Sequence, residues 1–198
     1  MNRLAALFLL ALPACSLLGG GEVLDIYELR APEGLPTANG PAPREVVVEL
    51  PEAAGTLETD RILVRPDALA AQYLPGARWG EETPVMVQTL MLRSLQATEG
   101  LTYVGRRPLG SGGDFAIVSD ILDFQAETEG DTARVVITLE VRIVRERDAA
   151  IAAGRTFQAE ASAASSATDD LIAAFDTASD ALFSEFAIWT MARLGRPI

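Results

Sequence analysis

Residues 133–147 read Ala-Arg-Val-Val-Ile-Thr-Leu-Glu-Val-Arg-Ile-Val-Arg-Glu-Arg. Val135, Ile137, Leu139, Val141 and Ile143 occupy alternate positions, and Thr138, Glu140 and Arg142 fall between them. A period of two sends the two sets to opposite faces of an extended strand. The segment is therefore a long strand with one apolar face.

The neighbouring sequence extends this strand into a sheet. Thr128 to Asp131 contains Gly130 and reads as a turn. Before it, Phe115 to Glu127 alternates until Leu122–Phe124, where the pattern slips by one residue and predicts a β-bulge. Arg155 to Ala161 is a further strand. Val23 to Arg30 and Glu45 to Leu50 are shorter strands, separated by a proline-rich loop from Ala31 to Pro43. Arg61–Arg65 and Leu69–Leu74 flank Pro66-Asp67. Pro presets one backbone angle of a tight turn, so these runs form a hairpin.

Two helices complete the pattern. Thr83-Pro84 suits a helix start, with Thr as cap and Pro in the first turn. Val87, Leu90, Met91, Ser94 and Leu95 then share one helical face, and Gly100 is a stop. Leu101–Val104 leaves it as a short strand. The second helix starts at Thr168-Asp169-Asp170, where Thr caps and the acids favour the positive end of the helix dipole. Leu171, Phe175, Ala178, Leu182, Phe186 and Trp189 recur every three or four residues and face a sheet. The expected fold is α+β: two layers, a mostly antiparallel sheet with two helices packed on one face.

The first residues carry a different signal. Arg3 precedes an apolar run from Leu4 to Leu12, too short for the roughly 20 residues a transmembrane helix needs. A positive start, apolar middle and small-residue end make a secretory signal. Leu12-Pro-Ala-Cys15 resembles a bacterial lipobox. Residues 1–14 are then a lipoprotein signal peptide, Cys15 is the lipidation site, and 15–21 are a lipidated, glycine-rich tether. Residues 22–198 form one periplasmic α+β domain. The rival is an ordinary secretory signal with an incidental Cys. Two or three acyl chains on Cys15 would anchor the protein without a membrane-spanning helix. Ser16, where Asp would favour inner-membrane retention, points to the outer membrane.

Composition removes several chemistries. The net charge is −12, every cation is Arg, and there is no His. An acidic chain is a poor partner for nucleic acid. Without His and with one Cys, Ser-His-Asp and Cys-His catalysis, His-ligated metal sites and internal disulfides are excluded. No catalytic residue, metal ligand or cofactor is assigned. Leu109-Gly-Ser-Gly-Gly-Asp114 is glycine-rich, but it lacks the Gly-Lys-Ser/Thr ending of a phosphate loop and reads as a turn. Asp169 and Asp170 are explained by the helix start. Asp120 and Asp123 lie on an irregular strand with no evident partner. Trp79 is read as packing beside Tyr73.

Read together, several stretches resemble the ABC-type transport auxiliary lipoprotein family, which includes the paraquat-inducible protein C lipoproteins. They are the lipobox, Tyr27-Glu-Leu, Arg61–Arg65, Tyr73 with Ala77-Arg-Trp79, the helix ending in Leu95, Arg155-Thr-Phe157 and Ala174-Phe-Asp-Thr-Ala178. The resemblance implies a non-enzymatic accessory subunit, with an MCE-domain protein and its ABC permease and ATPase as partners. It also implies movement of phospholipid or other apolar molecules between two membranes. Of residues, it carries over only Cys15. A stand-alone lipid carrier, a structural envelope lipoprotein and an envelope hydrolase are the alternatives. A homo-oligomer through an exposed sheet edge is compatible with each.

Overall fold

A computed structural model describes residues 23–110, 112–130, 132–195 and 198 of the chain. The expected signal peptide (1–14), Cys15 as expected lipidation site and the expected tether (15–21) fall outside the described residues. The elements in chain order are β1 (Asp25–Tyr27), β2 (Ala42–Val48), β3 (Glu52–Ala53), β4 (Arg61–Arg65), β5 (Gln72–Trp79) and α1 (Thr83–Ala97). They continue with β6 (Leu101–Gly105), β7 (Phe115–Glu129), β8 (Thr132–Arg145), β9 (Ala150–Ala163) and α2 (Thr168–Arg193).

The strict alternation produces β8, which lies between β7 and the edge strand β9. It pairs antiparallel with β7 on one side and with β9 on the other along nearly its whole length. Fourteen residues of strand extend about 48 Å. Helix α2, with 26 residues, is about 39 Å long and covers much of the β8–β9 hairpin. Val135, Ile137, Leu139, Val141 and Ile143 are buried beneath the helices. The predicted bulge is present: the β7 register shifts between Ile121 and Asp123, leaving Leu122 half exposed. Both helices lie on one face, and the nine described strands form an open, mixed sheet that is mostly antiparallel.

The other side of β7 is built differently from a hairpin meander. β2, β3 and β4 run end to end along it, all parallel to it, at Phe115–Ile117, Asp120–Ile121 and Gln125–Glu127 respectively. The chain from 42 to 65 behaves as one strand interrupted twice, by Pro51 and by the turn around Gly55. β5 then returns antiparallel to β4, while β1 and β6 add parallel edges to β5 and β2.

Several sequence boundaries move. The first strand is Asp25–Tyr27, shorter than 23–30, because Leu29 turns away into the core beside α1. The returning arm of the hairpin is Gln72–Trp79, displaced from 69–74. The Asp67 carboxylate accepts from the Leu69 and Ala70 backbone N–H groups at 2.8 Å, so the turn is wider than Pro66-Asp67 alone. β9 extends beyond 155–161 at both ends. The caps also differ. Thr83 is the first helical residue after Glu82, and its hydroxyl donates to the Thr59 carbonyl at 3.1 Å. Thr168 likewise follows Ala167 as first helical residue; Ser165, outside the helix, accepts from the Ala167 N–H at 3.1 Å.

The core joins both helices to the sheet. Trp79 from β5, Phe124 from β7 and Phe175 from α2 form one aromatic cluster: Trp79 meets Phe175 edge-on at 5.1 Å, and Phe124 stacks on Phe175 at 5.5 Å. Trp79 is thus core as expected, but its ring neighbours are these phenylalanines. Tyr73, on the same strand, is exposed and lies under the Arg61 guanidinium. A second cluster sets Phe157 of β9 against Phe186 and Trp189 of α2. The expected stripes of both helices are buried throughout.

Candidate functional site

The helices leave one face of the β7–β8–β9 sheet without a helical cover, and that face carries the charged set of β8. Arg134 is gripped by Glu127 of β7, with Nη2 and Nε donating to Oε2 at 2.7 and 3.0 Å, and Nη1 reaches Glu160 of β9 at 3.4 Å. Arg142 bridges to Asp120 across the same strand pair. Gln125 donates to Asp123 at 3.3 Å and to Glu127 at 3.4 Å. Strand pairing brings these groups together: Glu127 stands opposite Arg134, and Arg134 opposite Ser162, two residues beyond Glu160. The Arg134 hydrogen bond holds the Glu127 carboxyl below its ordinary range, against a smaller opposing effect of burial.

This corrects one reading. Asp120 has a partner, Arg142, contributed by the next strand and invisible to local sequence. Both aspartates of the bulged strand are held in hydrogen bonds, so neither is a free acid beside a free base. Asp169 accepts from the Tyr27 hydroxyl at 3.1 Å, which pushes the phenol pKa up, and Asp170 accepts from Ser165. Both therefore tie the start of α2 to its surroundings.

The glycine-rich turn is also accounted for. The Gly113 N–H donates to the Glu146 carboxylate at 2.7 Å, while Asp114 exchanges hydrogen bonds with the backbone of Glu45. A carboxylate already sits where a phosphate cradle would place its anion. Among the described residues no group of three or more acids, Cys or His is placed to hold a metal ion, and no helix is long and apolar enough to cross a membrane.

The sheet also has an open edge. Among the described residues β9 pairs with β8 alone, which leaves its other side without a partner strand over residues 150–163. Only Arg155 and Glu160 are charged in that strand. Arg155 packs over the Phe157 ring and binds Glu185 of α2, so its charge is drawn inward across the helix. Long free edges offer unpaired backbone groups to another strand, and proteins usually blunt them with charge. The alternation in β8 could be read from sequence; that β9 would be an edge could not.

This architecture recurs in known structures. Protein XCC0632 from Xanthomonas campestris, of the DUF330 family, superposes with a TM-score of 0.77 over 86% of this chain and 97% of its own, at 24% identity. The hypothetical protein CT253 from Chlamydia trachomatis gives 0.51 over 76% of this chain and 98% of its own, at 14% identity. These likenesses show the fold. In sequence, the uncharacterized protein bll6063 of Bradyrhizobium diazoefficiens is 28% identical over 178 residues, which is 87% of this chain and 47% of that protein. The chain thus spans about half the length of the curated relative it matches. The family model described as ABC-type transport auxiliary lipoprotein component matches residues 27–187, from the tyrosine of β1 through most of α2. With a match over that extent, the chain belongs to the family of ABC-type transport auxiliary lipoprotein components.

Proposed function

We propose that this protein is a lipid-anchored accessory subunit of an MCE-type ABC transport system, docking to the MCE-domain protein and its permease and ATPase. In this role it helps move phospholipid or other apolar molecules between the membranes. The family match over residues 27–187 carries the reading. Lipidation of Cys15 fixes the domain to the envelope, facing the periplasm, on the outer membrane. The 15–21 tether separates the anchor from the folded residues 22–198. Chemical work belongs to the partner ATPase, and this subunit contributes binding surface, with no cofactor or metal.

The charge-laced sheet face and the open β9 edge support docking. Side chains locked in cross-strand ion pairs present a preformed surface, which lowers the ordering cost of association. The β9 edge is the surface through which copies would pair as a homo-oligomer.

The test is a pull-down from membranes extracted in mild detergent, using a C-terminal tag. Recovery of an MCE-domain protein with its permease and ATPase is expected. A clean preparation lacking them, under conditions that keep such complexes intact, rejects the transport assignment. Cys15→Ala is expected to shift the protein from the membrane to the soluble fraction with its fold unchanged. An unmodified chain that stays on the membrane refutes lipidation as the anchor.

A further inference from the structure

Away from the sheet face, a cleft of about 370 Å³ runs along the outer side of α1. Its floor is apolar, from Leu29, Met86 and Leu90. Its walls carry two cations, Arg93 and Arg106, and two anions, Glu28 and Glu81. Small-ligand sites are clefts of a few hundred Å³ in which fixed polar groups set orientation, and here the polar groups make up most of the exposed lining.

The guanidinium of Arg106 is held in place. Its Nε donates to Gln88 Oε1 at 2.8 Å, and its Nη2 donates to Thr89 Oγ1 at 2.7 Å. Gln88 is buried, and its own Nε2 is fixed on the Val48 carbonyl at 2.9 Å. A glutamine on the buried side of a helix thus links the end of β2 to an arginine at the cleft. These contacts use the Nε side of the guanidinium and leave Nη1 without an acceptor among the described residues. No carboxylate lies within ion-pair distance of Arg106 or Arg93 among the described residues. Such an oriented, unpaired guanidinium is suited to two-point binding of an oxyanion.

The opposite charge has its own place. Glu81 Oε2 lies 3.3 Å from Thr89 Oγ1, sharing that hydroxyl's one proton with the nearer Val85 carbonyl at 2.9 Å, and the Glu28 side chain lies against Gly80, where a Cβ would stand 3.1 Å from Glu28 Oε1. Gly80 therefore leaves room for that carboxylate at the rim. Two cations and two anions balance, so a ligand of single charge gains from one pair and is repelled by the other.

We propose that this cleft binds a zwitterionic ligand, with its oxyanion against Arg106 and Arg93, its ammonium against Glu28 and Glu81, and an apolar portion on Leu29, Met86 and Leu90. The assignment is independent of the transport reading, since it rests on the cleft's own residues.

The experiment is a calorimetric titration of the full-length lipoprotein in dodecyl maltoside. The probe is glycerophosphoethanolamine, with glycerol phosphate and ethanolamine as its singly charged halves. Saturable one-site binding of the zwitterion is expected, at least about tenfold tighter than either half. Arg106→Gln and Glu28→Gln should each weaken it by about ten- to a hundredfold, as for loss of a charged hydrogen bond, with circular dichroism unchanged. No saturable binding, or binding unaltered in both variants, overturns the proposal. Native mass spectrometry of the same protein in micelles doped with phosphatidylethanolamine separates the sources. Arg106-dependent lipid retention assigns a lipid headgroup; binding of the soluble probe alone assigns a free solute.

Discussion

Phe175→Ala would remove the ring on which the aromatic cluster converges. Phe175 is fully buried, meets Trp79 at 5.1 Å and Phe124 at 5.5 Å, and joins α2 to β5 and β7. Truncating a buried Phe to Ala typically costs about 3–5 kcal/mol, from lost transfer energy and the cavity left behind. The value here should sit near about 4 kcal/mol, since two aromatic contacts are lost and rigid strands on the facing side resist collapse. For a chain of this size each kcal/mol lowers Tm by about 2–4 °C, so a fall of about 8–16 °C is expected. Ile188→Ala, on the exposed side of the same helix, is the control and should stay within about 0.5 kcal/mol. Urea unfolding followed by tryptophan fluorescence and far-UV circular dichroism measures both variants. A cost for Phe175→Ala below about 1 kcal/mol, or equal to that of Ile188→Ala, would refute the claim that this cluster fastens α2 to the sheet.

Gly100→Ala should destabilise by about 1–3 kcal/mol through overpacking, because its new Cβ falls on Met191 Cε and 3.0 Å from Ala38 Cβ; an unchanged urea midpoint would show that the α1 exit is loosely packed. Glu127 has a folded pKa below its unfolded value near 4.5, so its contribution is present above that pH and lost as pH falls through the folded value. Because the pair is partly exposed, the loss should stay under about 1 kcal/mol, and Glu127→Gln should flatten stability between pH 3 and 5; identical pH profiles would contradict this. Finally, Thr156→Lys with Gln158→Lys puts charge on β9. Light scattering after gel filtration should show an oligomer in the parent protein and a monomer in the variant, and an unchanged oligomer would exclude this edge as the contact.

The periodic features of the chain were legible without coordinates. Alternation from 133 to 147 specifies a half-buried strand whatever its neighbours are, since consecutive side chains must point to opposite faces. The i, i+3, i+4 stripes of both helices, the slip at Leu122–Phe124, the two-layer α+β class and the family resemblance are all local or compositional signals. Thr83 and Thr168 are first helical residues and not caps: the Thr83 hydroxyl is used on the Thr59 carbonyl, and Ser165 accepts from the Ala167 N–H ahead of the second helix. What the tertiary structure alone decided is non-local. Three short strands lie parallel along one side of β7, although only Arg61–Arg65 reads locally as a hairpin arm and no local signal names β7 as the partner of any of them. Arg142 reaches Asp120 only because β7 and β8 pair in one register. Gln88 and Arg106 are 18 positions apart, and a buried polar residue within an apolar helical face carried no sign of its partner. Local sequence sets which face of an element is apolar; which elements share a core, and which charges then meet, depends on the free energy of the whole packed arrangement.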